Sequence, residues 1–167
     1  MLIIARHAPA AAPVPGGEDH ARPLTSQGRE VARALAAEWA RLGPDHLVAS
    51  PALRCAQTLE PLAALLGLGL ELDEHLGPSA KPAQLAEALA YFVALEGTTI
   101  TVTHAPQLRE LVALLLEQQG IALDEEALHI PTGGYLAIEF IEDLRPARIE
   151  VVRRHPGPGK EPLTLVG

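Results

Sequence analysis

The sequence predicts an α/β fold, a three-layer α/β/α sandwich with a largely parallel central sheet. Short runs of branched aliphatic residues alternate along the chain with longer segments whose apolar residues recur at helical spacing. Each run has the length of a buried strand, and each longer segment can cross back over a sheet as a helix. This alternation is typical of βαβ units, in which helices cover both faces of the sheet.

Six segments have the composition of strands. The first opens the chain as a run of branched aliphatics, and the fourth is β-branched throughout, which is typical of a buried central strand. The last two alternate apolar and polar residues and are predicted as the final strands of the sheet. In chain order, the predicted strands cover residues 2–5, 46–49, 69–72, 98–103, 135–140 and 148–153.

Four segments are predicted as helices because their ends carry helix signals. Thr25 is a good N-cap, and Gly43 ends the helix that follows it. Ser50 at the N-cap and Pro51 at the first helical position predict the start of the second helix, which Pro61 is expected to kink or split. The predicted helices cover residues 25 to about 42, the segment from 50 onwards, 82–95 and 106 to 120.

Length and composition predict one domain. A chain of 167 residues with 48% hydrophobic residues has enough apolar side chains for a sizeable core and is not intrinsically disordered. We expect residues 1–155 to form this domain and residues 156–167 to form a loosely ordered tail rich in proline and glycine.

Charge and cysteine content exclude several classes of function. The net charge of −8 argues against nucleic acid as a partner, because the phosphate backbone needs a basic surface. No apolar run approaches the ~20 residues of a membrane span, and the start lacks the pattern of a signal peptide. A single cysteine, Cys55, excludes a disulfide framework and CxxC motifs. We therefore expect a cytoplasmic protein that binds no membrane; its oligomeric state stays open.

Four polar residues are predicted at the carboxyl ends of strands. Arg6 and His7 follow the first strand, Arg54 lies in the first turn after the second, and His104 follows the fourth. In a parallel sheet these ends form one rim, where ligands bind beside helix N-termini. Guanidinium groups match phosphate oxygens. Singly, Arg54 also fits a solvated surface position and His104 a hydrogen-bonded strand cap, but together the four predict a phosphate site.

On these residues the sequence resembles the histidine phosphatase, or phosphoglycerate mutase-like, superfamily. The resemblance runs from residue 2 to about residue 140, and the short chain with Ala8 after the Arg-His pair is most similar to SixA-type phosphohistidine phosphatases. The family's motifs match, in chain order, Arg6-His7, Leu24-Thr25-Ser26-Gln27-Gly28, the Ser-Pro-x-x-Arg-x-x-Gln-Thr pattern of residues 50–58, and His104.

The resemblance implies a mechanism with no metal and no cofactor. His7 attacks phosphorus and forms a transient phosphohistidine, which water hydrolyses, while Arg6, His7, Arg54 and His104 surround the phosphoryl oxygens. The sequence agrees with the expected absence of metal, since it contains no HxH or HExxH motif and no carboxylate cluster at ligand spacing.

The proton donor is the departure from the family pattern. Larger members carry a carboxylic acid after the third strand. Here Glu74 is a candidate outside the usual motif, with a solvated loop carboxylate as the alternative, and Asp19 and His20 in the first loop are the others. A weak general acid favours a leaving group that needs little protonation, such as that of a phosphoramidate.

Three functions remain open from the sequence. The first is a phosphatase acting on phosphohistidine in a protein. The second is a small-molecule phosphomonoesterase or phosphoglycerate mutase-like enzyme, whose partner is a small phosphate ester instead of a phosphorylated protein. The third is a non-catalytic module that binds phosphorylated ligands, against which the intact His7 speaks.

Overall fold

The computed structural model describes residues 1–117, 129–140, 146–152 and 161–163. The predicted helix end at Gly120 and the last residue of the predicted final strand, Arg153, lie outside these ranges. The strands are β1 (Leu2–Arg6), β2 (His46–Ala49), β3 (Glu71–Leu72), β4 (Thr99–Thr103), β5 (Tyr135–Phe140), β6 (Pro146–Val152) and β7 (Glu161–Leu163). The helices are α1 (Ser26–Trp39), α2 (Leu53–Leu66), α3 (Pro82–Ala94) and α4 (Ala105–Glu117).

The strands form one mixed sheet in the order β3-β2-β4-β1-β5-β6-β7. The first four in this order are parallel to one another, whereas β5, β6 and β7 are each antiparallel to the preceding strand. The predicted α/β class with a largely parallel sheet is confirmed. The parallel half is the part that presents strand ends on a common edge.

Helices cover both faces of the sheet, because alternate residues of a strand point to opposite sides. Ile3 and Ala5 of β1 pack with α1 and α2, while their neighbours Leu2 and Ile4 pack with α3 and α4. These four residues are at most 1% exposed. The core therefore divides into two apolar layers with the sheet between them, which is the predicted three-layer arrangement.

The start of α2 differs from the prediction. Ser50 is not the N-cap, because the helix begins at Leu53 and the Ser50 hydroxyl bonds a histidine side chain from another strand end. Pro61 does not split the helix, which continues to Leu66. Leu59 and Leu62, on either side of the proline, are fully buried, so packing holds the two halves together.

Part of the predicted tail belongs to the sheet. Glu161–Leu163 pairs with β6 as strand β7, and the other residues of 156–167 lie outside the described ranges. None of the helices described is long and apolar enough to cross a membrane.

Candidate active site

Three adjacent parallel strands end at the same edge of the sheet. Because β4 lies between β1 and β2, the residues that follow them meet there. The His7 N–H donates to the Thr103 carbonyl at 3.0 Å, and the Ser50 N–H donates to the Val102 carbonyl at 2.9 Å. These bonds place His7, Ser50 and His104, each the first residue after its strand, next to one another.

The His7 ring is held in one tautomer. Its Nδ1 lies 2.8 Å from the Ala8 carbonyl oxygen, and a carbonyl can only accept a hydrogen bond. Nδ1 therefore carries the proton, and the lone pair of the neutral ring lies on Nε2. The ring is 9% exposed. The geometry leaves a buried imidazole with its basic nitrogen unprotonated.

The surroundings of His7 keep the ring neutral. Burial lowers the pKa of His7, the Ala8 carbonyl opposes this by stabilising the charged form, and the charges of Arg54, Arg6 and Arg22 lower it further. The resulting pKa is about 4. At neutral pH the imidazole is thus unprotonated and available as a nucleophile.

Arg54 is the central cation of the site. It is the second residue of α2, and only 3% of its side chain is exposed. Its Nη1 donates to the Asp19 carbonyl oxygen at 2.7 Å, and its Nη2 donates to Asp19 Oδ2 at 2.9 Å and to His104 Nδ1 at 3.1 Å. Its Nε is buried without a partner in the described part of the chain. The guanidinium group thereby connects the first loop to the end of β4.

Hydrogen bonds also define the tautomer of His104. Its Nδ1 accepts from Arg54, which can only donate, so the proton of the neutral ring lies on Nε2. This Nε2–H donates to the Ser50 hydroxyl oxygen at 2.9 Å. Ser50 therefore orients His104 from the end of β2.

Burial and the charge of Arg54 lower the pKa of His104 to about 3, with a smaller effect from His7 in the same direction. The two histidine rings lie edge to face, with centroids 5.5 Å apart. Cys55 Sγ lies 3.7 Å from His104 Nε2, and burial raises the pKa of this thiol to about 12. Both histidines are neutral at pH 7, and the cysteine is not a thiolate.

Arg6 bonds a different part of the chain from Arg54. Its Nη1 donates to the Ile130 carbonyl at 3.0 Å, and its Nε is buried without a partner among the residues that the structure describes. The charge of Arg6 reaches the His7 ring, whose pKa it lowers. Donors on both arginines therefore remain available for an anion.

Other residues of the two motifs, 24–28 and 50–58, hold the loops around the site through hydrogen bonds and close packing. The Thr58 hydroxyl accepts from the Ala8 N–H at 3.0 Å, and the side-chain oxygen Oε1 of Gln57 accepts from the Leu24 N–H at 2.8 Å. A Cβ at Gly28 would overlap the Pro9 carbonyl oxygen, so only glycine allows α1 to approach the loop after His7 this closely. These contacts give the residue spacings within 24–28 and 50–58 a structural cause.

The three candidate proton donors lie in different places. Glu74 is exposed, and its side chain forms no hydrogen bond or ion pair with the residues described. His20 is exposed and pairs with Glu18 at 3.2 Å. Asp19 contacts the cluster: partial burial raises its pKa, but hydrogen bonds and charges of Arg22 and Arg54 outweigh this and lower it. The structure thus brings together only Asp19 of the three, as a carboxylate.

Two participants were missed by the sequence analysis. Ser50 lies inside the Ser-Pro-x-x-Arg motif, which could have drawn attention to its hydroxyl group. Arg22 donates to Asp19 Oδ1 at 2.8 Å and to the Ala11 carbonyl at 2.8 Å, and its charge reaches both site histidines. No spacing in the sequence singles out Arg22.

The side chains assembled here suit an anion better than a cation. Within the described ranges, no group of three or more histidine, cysteine, aspartate or glutamate side chains is placed to hold a metal ion. Two arginines with unused N–H donors, beside a neutral imidazole, match the oxygens of a phosphoryl group.

Residues 2–77 match the family model of the histidine phosphatase superfamily, branch 1. Over these residues, slightly less than half of the chain, the sequence is similar to the histidine phosphatase superfamily. The predicted resemblance is confirmed, and the similar proteins are themselves named as phosphatases. The structure of the protein histidine phosphatase SixA complexed with tungstate superposes on this chain with a TM-score of 0.71 at 25% identity, over 87% of this chain and 92% of that one.

Two further similar proteins are named for small-molecule substrates instead of phosphohistidine. The alpha-ribazole phosphatase from Shigella flexneri shares the fold with a TM-score of 0.71 at 17% identity, over 92% of this chain and 96% of that one. An 8-oxo-(d)GTP phosphatase of Mycolicibacterium smegmatis is 47% identical over 47 residues, which are 28% of this chain. The match spans 15% of the length of that relative.

We expect the protein to lose stability in mild acid because of its neutral histidines. An unfolded histidine takes up a proton near pH 6.5, whereas folded His7 does so only near pH 4. Between these values the unfolded chain binds more protons, so the free energy of unfolding falls as pH falls, by about 3 kcal/mol at pH 4 from His7 alone. Urea unfolding at pH 7, 5.5 and 4 measures this.

In the same experiment, His7→Gln should show a weaker pH dependence than the wild type. His20→Gln, which removes an exposed histidine, should not differ from the wild type. Equal slopes for all three proteins would contradict the assignment of a neutral, buried His7.

Proposed function

We propose that the chain is a metal-independent phosphatase that acts through a phosphohistidine intermediate on His7, with phosphohistidine in a protein as its substrate. The observation that carries the proposal is the state of His7. Its Nδ1 is committed to the Ala8 carbonyl, its pKa is about 4, and its basic Nε2 lies in a cluster with Arg54 and His104. A neutral imidazole among fixed cations is the arrangement that nucleophilic phosphoryl transfer needs.

In the first step, the Nε2 lone pair attacks phosphorus in line with the leaving group. The bond from phosphorus to the leaving nitrogen breaks as the bond to His7 Nε2 forms, and the substrate imidazole, which carries a proton on its other ring nitrogen, leaves as a neutral ring. Negative charge on the three remaining phosphoryl oxygens is stabilised by Arg6 and Arg54. Because Nδ1 keeps its proton, the phosphorylated ring is cationic, and the Ala8 carbonyl stabilises its charge.

In the second step, water attacks the phosphorus of the intermediate. The bond to His7 Nε2 breaks, and its electron pair returns to the ring, so that His7 is again neutral with the proton on Nδ1. Inorganic phosphate leaves with the oxygen of the attacking water, which gives up its proton to solvent or to a phosphoryl oxygen. The low pKa of His7 makes the ring a good leaving group in this step.

The carboxylates of the site favour a phosphoramidate as the substrate. Glu74 is exposed and contacts no member of the cluster, and the arginines hold Asp19 ionised. Neither is placed or protonated as a strong general acid at neutral pH. A phosphorylated imidazole needs less protonation to leave than an alkoxide, so phosphohistidine fits these residues better than an alkyl phosphate.

The chain around the site also supports a protein substrate. Between β3 and β4 it forms one short 3₁₀ helix, Glu74–Leu76, and α3, which packs against this helix and α4. The segment contributes no separate lid. The similarity to SixA, a protein histidine phosphatase, points the same way.

A small phosphate ester is the second candidate. It is favoured by the 47-residue match to an 8-oxo-(d)GTP phosphatase and by a solved structure of similar fold that is named for a small substrate. The same His7 chemistry would serve both substrate classes, and only the leaving group differs.

Leaving-group selectivity tests the proposal. We expect kcat/KM on a phosphohistidine-bearing protein and on an aryl phosphate to exceed that on an alkyl phosphate by about 100-fold or more, because a missing general acid costs ~10²–10⁴ where protonation is needed. Steady-state assays of the purified protein on the three substrates measure this, with and without EDTA. Chelation should leave all rates unchanged.

Glu74→Gln is the matched variant for the acid. If Glu74 takes no part, the variant keeps the rates on all three substrates. Equal or faster turnover of a sugar phosphate, lost in Glu74→Gln, would identify Glu74 as the acid and favour the small-ester function. A requirement for added divalent metal would contradict the proposed mechanism.

A further inference from the structure

Without bound phosphate, both hydrogens on Arg54 Nη2 are already in hydrogen bonds. Nη2 carries two hydrogens, and both are used: one bonds Asp19 Oδ2 at 2.9 Å, the other His104 Nδ1 at 3.1 Å. The Asp19 carbonyl takes a hydrogen of Nη1 at 2.7 Å. A phosphoryl oxygen can therefore bind Nη2 only if one of its two partners withdraws.

Asp19 is the partner that can withdraw at low cost. Its side chain is 54% exposed, so water can solvate the carboxylate once it leaves Arg54. His104 is 5% exposed and is fixed on its other side by Ser50. A carboxylate and a phosphoryl group on the same guanidinium edge would also repel each other, whereas the neutral His104 would not.

Arg22 keeps the displaced carboxylate within reach. It bonds Asp19 Oδ1 at 2.8 Å and is itself anchored on the Ala11 carbonyl at 2.8 Å. Release from Arg54 therefore does not require release from Arg22. The short 3₁₀ helix Asp19–Ala21 can give up one contact and return to it.

We propose that Asp19 is a resident counter-ion of Arg54, which a phosphoryl oxygen displaces on binding and which returns when inorganic phosphate leaves. Asp19 thereby sets the affinity of the site for phosphate and promotes release of the product. This role differs from that of a proton donor. It rests on the proposed function only in taking a phosphoryl group as the anion.

Binding of inorganic phosphate, measured by isothermal titration calorimetry at pH 7.5 and about 0.15 M salt, tests the inference. Asp19→Asn keeps an oxygen that can accept from Arg54 but removes the charge. We expect it to bind phosphate about tenfold more tightly than the wild type, which corresponds to ~1.4 kcal/mol. Asp19→Ala, which removes the carboxylate altogether, should also tighten binding.

Glu18→Gln is the matched control. It removes one negative charge from the neighbouring residue, which is exposed and pairs with His20 instead of Arg54. We expect its phosphate affinity to stay within about twofold of the wild type, because exposed charges are screened. Thermal melts of all variants verify that each is folded.

Unchanged or weaker phosphate binding in both Asp19 variants, or an equal gain in Glu18→Gln, would overturn the inference. So would the absence of detectable phosphate binding in the wild type and both Asp19 variants. If Asp19 is instead the proton donor, Asp19→Asn loses kcat on alkyl phosphates at unchanged phosphate affinity.

Turnover separates this inference from the proposed function. Tighter phosphate binding in Asp19→Asn, in a protein that hydrolyses neither phosphohistidine nor phosphate esters, would support the counter-ion and contradict the phosphatase function. Turnover in a protein whose phosphate affinity is unchanged by Asp19→Asn would support the phosphatase function and contradict the counter-ion role.

Discussion

His7→Ala is expected to abolish turnover, with kcat reduced by about 10⁴-fold or more, because the residue that forms the covalent intermediate is absent. Rapid quenching of the wild type with a ³²P-labelled substrate should trap the label on His7 as an acid-labile, alkali-stable adduct. The label should be absent from the variant. The low pKa of His7 predicts that kcat/KM stays flat on the acid side until the pH nears 4, where the ring becomes protonated.

His46→Gln is a suitable control for this experiment. His46 begins β2 at the opposite edge of the sheet, where its Nε2 lies 3.1 Å from the Glu96 carbonyl oxygen. We expect normal turnover and labelling in this variant. Normal turnover in His7→Ala, or label on another residue, would rule out the proposed intermediate.

Arg54→Lys is expected to reduce kcat/KM by about 10²–10³-fold, the cost of losing a donor that stabilises the transition state. A lysine keeps the charge, but its ammonium lacks the planar fork of N–H donors with which Arg54 can bond His104 and a phosphoryl oxygen at the same time. Steady-state kinetics at saturating and limiting substrate separate the effects on kcat and KM.

Arg54→Gln adds a second measurement to this prediction. The charge of Arg54 lowers the pKa of both His7 and His104, so its removal should raise both and move the acid limb of the pH profile to higher pH. Arg33→Gln, an exposed position on α1, should change neither the rate nor the profile. An unshifted acid limb in Arg54→Gln would show that Arg54 does not act on the nucleophile.

Local patterns in the sequence were sufficient for most of the elements. Short apolar or β-branched runs, and for β5 an alternating pattern, predicted the first five strands to within two residues. The start of α1 was predicted from Thr25, whose hydroxyl accepts from the Gly28 N–H at 3.0 Å. Ser50 has the same chemistry but a different partner, so the same rule placed the start of α2 wrongly.

The order of the strands required the tertiary structure. The alternation of elements predicts parallel strands but does not specify that β4 lies between β1 and β2. The sequence also did not predict β7 at the antiparallel edge of the sheet, because three residues in a segment rich in proline and glycine show no strand periodicity. Pairing over long separations depends on which edges remain unpaired once the core has formed.

The sequence by itself determined which chemistry-bearing residues follow the strands: Arg6 and His7, Arg54, and His104. Only the tertiary structure decided what each of them contacts. The bonds from Arg54 to Asp19 and His104 join residues 35 and 50 positions apart. The tautomer of His104 and the lowered pKa values of both histidines follow from such contacts, whereas the tautomer of His7 is set by its neighbour Ala8. The physical reason is that spacing along the chain reports local backbone geometry, whereas hydrogen bonding, burial and charge depend on neighbours that only packing brings together.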